Sequence, residues 1–114
     1  MAANDQAVLS LDAILELLAH RHRRALIALF MEHDEKAIPV DVCIDQLVET
    51  DTELTSTHPG RDQIVELFHH IHLPKLAHAG IAELDTPSRT ITYSPNAEVE
   101  AVLKAIMESS REVG

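Results

Sequence analysis

Histidines are concentrated in one short stretch of the chain, where four fall within ten residues. Imidazole nitrogens bind transition metals, and His69 and His72, three residues apart on a regular helix, could share a zinc ion. No cysteine or acidic ligand with a characteristic metal-site spacing accompanies them. We therefore predict no metal and no other cofactor, with His72 packed inside and the other histidines on the surface. The four residues are His69, His70, His72 and His78.

Motifs of covalent or phosphoryl-transfer chemistry are missing from the sequence. Three glycines in all leave no phosphate-cradling loop and no dinucleotide fingerprint. No nucleophile elbow and no pair of carboxylates stands in a recognisable catalytic context. The single cysteine, Cys43, lies on the apolar side of a predicted helix and is expected to fill core space. We expect a protein that is not an enzyme.

The charge of the chain is strongly negative and unevenly distributed. Nineteen acidic residues face nine basic ones, and this lysine-poor balance is typical of a protein in a cytoplasm rich in potassium chloride. An acidic mesophilic protein is the alternative interpretation. Two segments escape the acidic bias, residues 19–33 with Arg21, Arg23 and Arg24, and residues 61–82. That asymmetry is expected where a protein meets a polyanion.

Hydrophobic periodicity and turn signals predict the elements that would position these residues. Ser10 is a predicted helix N-cap, and Pro39 predicts an edge position for a short strand. Pro74 should kink or break a long helix near residues 71–73, and Gly80 should end it. The predicted elements are helices over 11–20 and 21–33, which could be continuous, a strand over 37–40, a helix over 42–49 capped by Asp41, a loop over 50–60, a helix over 61–80, a hairpin over 81–93 and a last helix over 96–111.

Two motifs in this order of elements resemble a known family. LLAHRHRRAL, at residues 17–26, and HIHLPKLAHAGI, at 70–81, are similar to motifs of a haloarchaeal family of small winged-helix domains that are presumed to bind DNA. The resemblance covers roughly residues 11–93. With the order of elements, it implies an α+β, mainly α, winged helix-turn-helix, in one domain of residues 1–114 with its core in 11–93.

The resemblance also implies how DNA would be bound. The helix over about 61–80 would enter the major groove, and the hairpin over about 81–93 would lie on the backbone as the wing. Members of the family often carry several arginines at the start of that helix, where this chain has Arg61-Asp62-Gln63. This departure favours a second hypothesis, a winged-helix protein-interaction module that does not bind DNA.

The helical period divides the fourth helix into two faces. If Ile64 is buried, then Leu67, Phe68 and Ile71 point to the core, while Asp62, Gln63, Glu66, His69 and His70 point outward with Leu73 near them. An outward glutamine can pair with adenine, and histidines can donate to bases or phosphates. An ordinary solvated helix face is the alternative. The predicted DNA contacts are Arg61, Gln63, His69, His70, Lys75, Arg89, Arg21 and Arg23.

Arginines outside that helix have two possible roles each. Arg89, in the hairpin turn, is the best single candidate for a contact with the DNA backbone or minor groove. Arg21, Arg23 and Arg24 could grip phosphates, or could pair with Asp12, Glu16 or the acidic loop. We expect a structural role for at least one of them.

The function predicted from the sequence is that of a transcriptional regulator that binds double-stranded DNA in the cytoplasm of a halophilic archaeon. No apolar run reaches membrane-spanning length, and no signal peptide is apparent. Apolar stripes on the first and last helices, Leu11/Ile14/Leu15/Leu18 and Val99/Val102/Leu103/Ile106, predict a homodimer. The alternative is that these two helices pack on each other within one chain. A metal-responsive regulator is a third hypothesis.

Overall fold

The structure is a computed structural model that describes residues 8–35, 37–54 and 60–113. Over these residues it is mainly helical with one small antiparallel sheet, which confirms the predicted α+β class. The elements are α1 (Leu11–Leu17), α2 (Arg21–Glu32), β1 (Ala37–Pro39), α3 (Val40–Leu54), α4 (Arg61–Leu67), a π-helical segment (Phe68–His72), α5 (Leu73–His78), β2 (Ala82–Asp85), β3 (Thr90–Tyr93) and α6 (Ala97–Val113).

The sheet has the strand order β1-β3-β2. β2 and β3 are the arms of the hairpin, and β1 pairs with the other side of β3, with Ile38 opposite Ile91. Pro39 has no N–H to donate, which suits the edge strand in which it lies and confirms the predicted edge position. The next residue, Val40, donates its N–H to the carbonyl of Arg89 (3.0 Å) and so joins the start of α3 to the hairpin loop.

The hydrophobic core is shared by the sheet and the helices that cover it. α6 packs on α2 and buries Val99 and Leu103. Cys43 is fully buried in α3, as predicted, and burial raises the pKa of its thiol to about 12. At the edge of the core, the Tyr93 hydroxyl donates to the Glu100 carboxylate, and burial together with this bond raises the pKa of Tyr93.

α1 and α2 are separate helices rather than one continuous helix. The Ser10 hydroxyl accepts the N–H of Ala13 (3.1 Å), so the predicted N-cap of α1 is confirmed. α1 ends at Leu17, and the extended residue His20 (φ −125°, ψ 137°) then caps α2 by accepting the backbone N–H of His22 on Nδ1 (3.0 Å). A histidine therefore performs the capping that Ser, Asp or Asn usually performs.

α3 is longer at both ends than the predicted helix. It begins at Val40 rather than after a cap at Asp41, and it continues to Leu54 through residues predicted as loop. The hydroxyls of Thr50 and Thr52 donate to carbonyls one turn earlier, at 2.8 Å and 2.9 Å, and so are satisfied within the helix. Asp51 is buried against α2, which gives this last part of α3 a packing partner. The rest of the predicted loop, 55–59, lies outside the described residues.

The break predicted near Pro74 takes the form of a π-helical segment between α4 and α5. Proline lacks the N–H that would continue the α-helical pattern, and the N–H of Leu73 bonds to the carbonyl of Phe68, five residues back. The extra residue in this turn rotates everything after it relative to α4. Leu73 is therefore buried and Ile71 is 40% exposed, so the predicted placement of these two residues is wrong.

Candidate nucleic-acid interface

The outward face of α4 and the π-helical segment carries most of the predicted contact residues. Gln63 and His70 are exposed, while His69 is half-buried with its ring edge-on to that of Phe68, at a centroid distance of 5.0 Å. Glu66 is exposed as well. The face thus offers hydrogen-bonding side chains to a partner, although it is not uniformly cationic.

Both cations of this helix form surface ion pairs. Arg61 Nη1 lies 2.7 Å from Asp45 on α3, and Lys75 Nζ lies 3.2 Å from Glu16 on α1. The two basic side chains are 49% and 42% exposed, respectively. Exposed pairs of this kind contribute about 0–1 kcal/mol, so a phosphate could replace either carboxylate at small cost.

A groove of about 780 Å³ lies between α1 and the helix that continues into α5. It is lined on the α5 side by Ile71, Pro74 and His78, and on the α1 side by Ala13 and Leu17. The residues turned outward by the π-helical segment therefore meet α1 across this groove, which the sequence alone did not indicate.

The hairpin loop holds Arg89 in an unusual backbone conformation. Arg89 is exposed and has φ +54°, in the left-handed region. Its N–H donates to the carbonyl of Thr86 (3.2 Å), closing a four-residue loop in which Pro87 is the second residue. Ser88 is fixed within the loop because its N–H and its hydroxyl both donate to the Asp85 carboxylate. The left-handed conformation costs a residue with a side chain on the order of 1 kcal/mol relative to glycine.

Arg23 has a structural role and is not available to DNA. It is 4% exposed, and its Nε and Nη2 donate to the carbonyls of Leu17 (2.7 Å) and Glu16 (3.1 Å). Its Nη1 lies 3.1 Å from Nδ1 of His72. The prediction that Arg23 contacts DNA is therefore wrong, because the side chain is buried and its three hydrogen bonds hold it inside the domain.

The other two arginines of α2 are also engaged. Arg24 Nη1 donates to the carbonyl of Leu18 (2.7 Å), which holds the end of α1 against α2. Arg21 Nε donates to Asp51 (2.8 Å), but the Arg21 side chain is 40% exposed and remains the one predicted α2 contact that a ligand can reach. The predicted pairing of this arginine with the acidic segment 50–60 is confirmed at Asp51, although that residue lies in α3 rather than in a loop.

His72 lies in a buried cluster with two histidines from the start of α2. The ring centroids of His20, His22 and His72 are separated by 4.6–5.2 Å, and His22 and His72 are each 1% exposed. The prediction that His72 is packed is confirmed. His69, which was weighed as a partner of His72 for zinc, lies outside the group of potential ligands found among the described residues. The sequence signal for this cluster is the pair His20 and His22 at the start of a helix, and the prediction from the sequence did not use it.

Hydrogen bonding fixes the proton positions in this cluster. A guanidinium group only donates, so Nδ1 of His72 accepts from Arg23 and its proton sits on Nε2. His22 Nε2 lies 2.8 Å from the Asp51 carboxylate and donates to it. His22 Nδ1 and His72 Nε2 are both buried, and neither has a hydrogen-bond partner among the described residues.

The electrostatics of the cluster favour the neutral forms of His72 and His20. Burial, followed by the neighbouring His20, His22 and Arg23, lowers the pKa of His72 to about 4. Burial also lowers the pKa of His20, with further contributions from His22 and Arg23. Burial alone would raise the pKa of Asp51, but hydrogen bonds from Arg21 and His22 hold it below its usual value. The cluster therefore contains two imidazoles with lowered pKa values beside one carboxylate.

The fold gives the structural class of this protein, and a match to a family model gives its family. The fold is a mainly helical α+β domain whose long helix is followed directly by an antiparallel hairpin. The chain belongs to the DUF7344 family, described as a domain of unknown function, whose family model matches residues 15–92. No curated protein and no solved structure matches the chain. The matched range includes the histidine cluster, the helix predicted to enter the major groove and the hairpin as far as Thr92.

None of the described helices combines the length and the hydropathy that crossing a lipid bilayer requires.

Proposed function

We propose that this protein is a winged helix-turn-helix transcriptional regulator that binds double-stranded DNA in the cytoplasm of a halophilic archaeon. α3 and the interrupted helix α4–α5 form the helix-turn-helix pair, and the β2–β3 hairpin is the wing. β1 adds the third strand that anchors the wing to the start of α3. The antiparallel pairing of the three strands and the contact of α5 with β2 support this assignment.

Arg89 is the observation that supports the proposal best. An exposed arginine stands at the hairpin loop in a left-handed conformation where glycine or asparagine would be less strained. Residues held in such conformations cluster at ligand-binding sites. A guanidinium group at this position suits a phosphate or a narrow minor groove.

The helix would supply the sequence-reading contacts. Gln63 can pair with adenine by accepting on its amide oxygen and donating from its amide nitrogen, and His69 or His70 can donate to bases or phosphates. Arg61 and Lys75 would exchange Asp45 and Glu16 for phosphate oxygens. In molar salt, counterion release contributes little, so fit and hydrogen bonding must contribute more, and this is compatible with an acidic protein.

The test is selection of bound fragments from random duplex DNA in molar potassium chloride, repeated at low salt. Enrichment of a motif at high salt supports the regulator. Arg89→Gly should then weaken binding roughly fivefold to tenfold on every sequence, as expected for a lost phosphate contact. Gln63→Ala should instead relax the preference at one base pair. Lys104→Ala, on the exposed side of α6 and outside the proposed interface, is the matched control for a lost cation.

A protein-interaction module is the second candidate function. Its support is the charge of the helix face, where Asp62 and Glu66 are exposed and the two cations already have carboxylate partners. No enrichment of DNA at either salt, with the protein folded, would reject the regulator. Loss of a protein partner on replacement of Gln63 or Arg89 would then support the module.

We also propose that the protein is a homodimer, through residues of α1 and α6 that the fold leaves exposed. Half of each predicted stripe is used internally, since Ile14 of α1 and its C-cap Leu18 are buried, as are Val99 and Leu103 of α6. Leu11 and Leu15 remain 63% and 46% exposed, and Met107 on α6 remains 46% exposed. Sedimentation should give a dimer that Leu15→Glu converts to a monomer. A monomeric wild-type protein at micromolar concentration would reject this interface.

A further inference from the structure

We propose that His20, His22 and His72 bind one divalent transition-metal ion, with Zn²⁺ as the probe ion. The three rings come from two parts of the chain that are about 50 residues apart, and each offers a nitrogen within 4.8 Å of the others. Imidazole is a preferred ligand of Zn²⁺, Ni²⁺ and Cu²⁺. The site would join the start of α2 to the π-helical segment.

The spacing of the nitrogens is close to that of a metal site. Zinc–nitrogen bonds of about 2.0–2.1 Å in a tetrahedral arrangement place the nitrogens roughly 3.4 Å apart. From separations of up to 4.8 Å, the rings must close by on the order of 1 Å. Two of the three side chains are already almost completely buried, so little conformational freedom remains to be lost on binding.

His22 is oriented as a metal ligand before any ion binds. Its Nε2–H donates to the buried carboxylate of Asp51, and Nδ1 is buried with no hydrogen-bond partner among the described residues. Metal-binding histidines commonly donate their second N–H to a carboxylate, which fixes the ring and makes the ligating nitrogen more basic. Asp51 also supplies the negative charge that a cation needs beside Arg21 and Arg23.

His72 and His20 would exchange existing contacts for the metal. Nδ1 of His72 accepts from Nη1 of Arg23, whose other nitrogens are held by two backbone carbonyls. Because the guanidinium group is planar and rigid, ligation through Nδ1 of His72 requires the whole group to shift, together with its bonds to the two carbonyls. Nδ1 of His20 caps α2 by accepting a backbone N–H. Ligation through Nδ1 would break this cap, and ligation through Nε2 would require the proton on Nε2 to leave. Metal binding would thus rearrange the contact between α2 and the long helix.

The experiment is a zinc titration of the untagged, chelator-treated protein in concentrated potassium chloride, followed by dialysis and metal analysis. We expect one zinc per chain and an increase in Tm, because an ion that binds only the folded state stabilises it. Co²⁺ in place of Zn²⁺ should give the visible absorption of a tetrahedral site. Failure of the wild-type protein to bind either ion overturns the proposal.

His20→Asn is the most informative variant, because asparagine can still cap α2 but offers no imidazole. We expect at least about a tenfold loss of zinc affinity, with Tm in the absence of metal changed little. His22→Gln should also lose the zinc-dependent rise in Tm. His70→Asn, in an exposed histidine of the same helix as His72, is the matched control and should bind as the wild type does. Equal zinc affinity in wild type and His20→Asn overturns the proposal.

A regulatory consequence rests on the proposed DNA-binding function. Zinc at this site should change DNA affinity in wild-type protein and leave that of His20→Asn unchanged. Because zinc stoichiometry is measured without DNA, a failure of the metal site and a failure of the DNA-binding proposal give different results.

Discussion

Two regions of this protein that each carry three basic side chains have opposite environments. At the start of α2, the arginines and histidines are turned into the domain, where backbone carbonyls and Asp51 accept their hydrogen bonds. On the long helix and the hairpin, Arg61, Lys75 and Arg89 stay exposed. Both regions combine arginine or lysine with histidine, so residue type alone does not separate them. What separates them is whether buried acceptors lie within reach, and only the folded chain determines that.

Replacing Arg23 should have the largest effect on stability. Arg23→Ala leaves the buried carbonyl of Leu17 and Nδ1 of His72 without this donor, and each unsatisfied buried group costs about 1–3 kcal/mol. We expect a loss of about 3 kcal/mol in the free energy of unfolding, measured by denaturant titration at neutral pH. Arg24→Ala, which removes one bond at a half-buried position, should cost about 1 kcal/mol. Similar losses in the free energy of unfolding for the two variants would contradict the larger structural role given to Arg23.

Asp51→Asn should have the next largest effect. The amide keeps the shape of the side chain but removes the charge that accepts from Arg21 and His22. Hydrogen bonds to charged groups contribute about 1.5–3 kcal/mol, so we expect a loss of about 2 kcal/mol. Asp45→Asn removes the partner of Arg61 in an exposed pair and serves as the control. A cost near zero for Asp51→Asn, by the same denaturant titration, would mean that this buried pair contributes no net stability.

Arg89→Gly should act in the opposite direction. Glycine adopts the left-handed conformation without strain, so the variant should be more stable by about 0.5–1 kcal/mol, even after the extra flexibility of the unfolded chain is included. The same variant should bind DNA more weakly under the proposed function. Thermal unfolding and DNA binding are measured on one preparation. A destabilised Arg89→Gly would show that the arginine contributes to the fold.

Gln63→Ala should have the smallest effect on the fold. Gln63 is exposed on α4, and substitutions at such positions usually change stability by less than about 0.5 kcal/mol. The free energy of unfolding should match that of the wild type while selectivity for a DNA base pair is lost. If the variant unfolds more easily by 1 kcal/mol or more, then the outward face of α4 is not free for a ligand.

The sequence correctly predicted the ends and positions of elements that depend on a single residue or its near neighbours. Ser10 begins α1, Pro39 lies in an edge strand, and Gly80 ends the long helix at φ +78°. Each depends on a backbone property of one residue or on a hydrogen bond to a near neighbour. The order of helices and strands followed from such signals and from hydrophobic periodicity.

Contacts between distant parts of the chain could not be predicted in this way. The histidine cluster depends on His72 meeting residues 20 and 22, and the length of α3 depends on Asp51 meeting α2. The exposure of Ile71 depends on the form of the break at Pro74, because a kink and a π-helical turn place the following residues on different sides. Sequence periodicity assumes a constant number of residues per turn, and here that number changes.

Because of the π-helical segment, the length of the long helix determines how α5 and the hairpin are oriented relative to α4. In a regular α-helix successive residues are rotated by about 100° about the helix axis. Deleting one residue between Phe68 and His72 would therefore rotate α5 by about that angle relative to α4. The hairpin begins four residues after α5 and would swing with it. Chains of different helix length could not keep both the outward face of α4 and the position of the hairpin. We therefore expect insertions and deletions within this fold to be excluded from the segment and tolerated in surface loops.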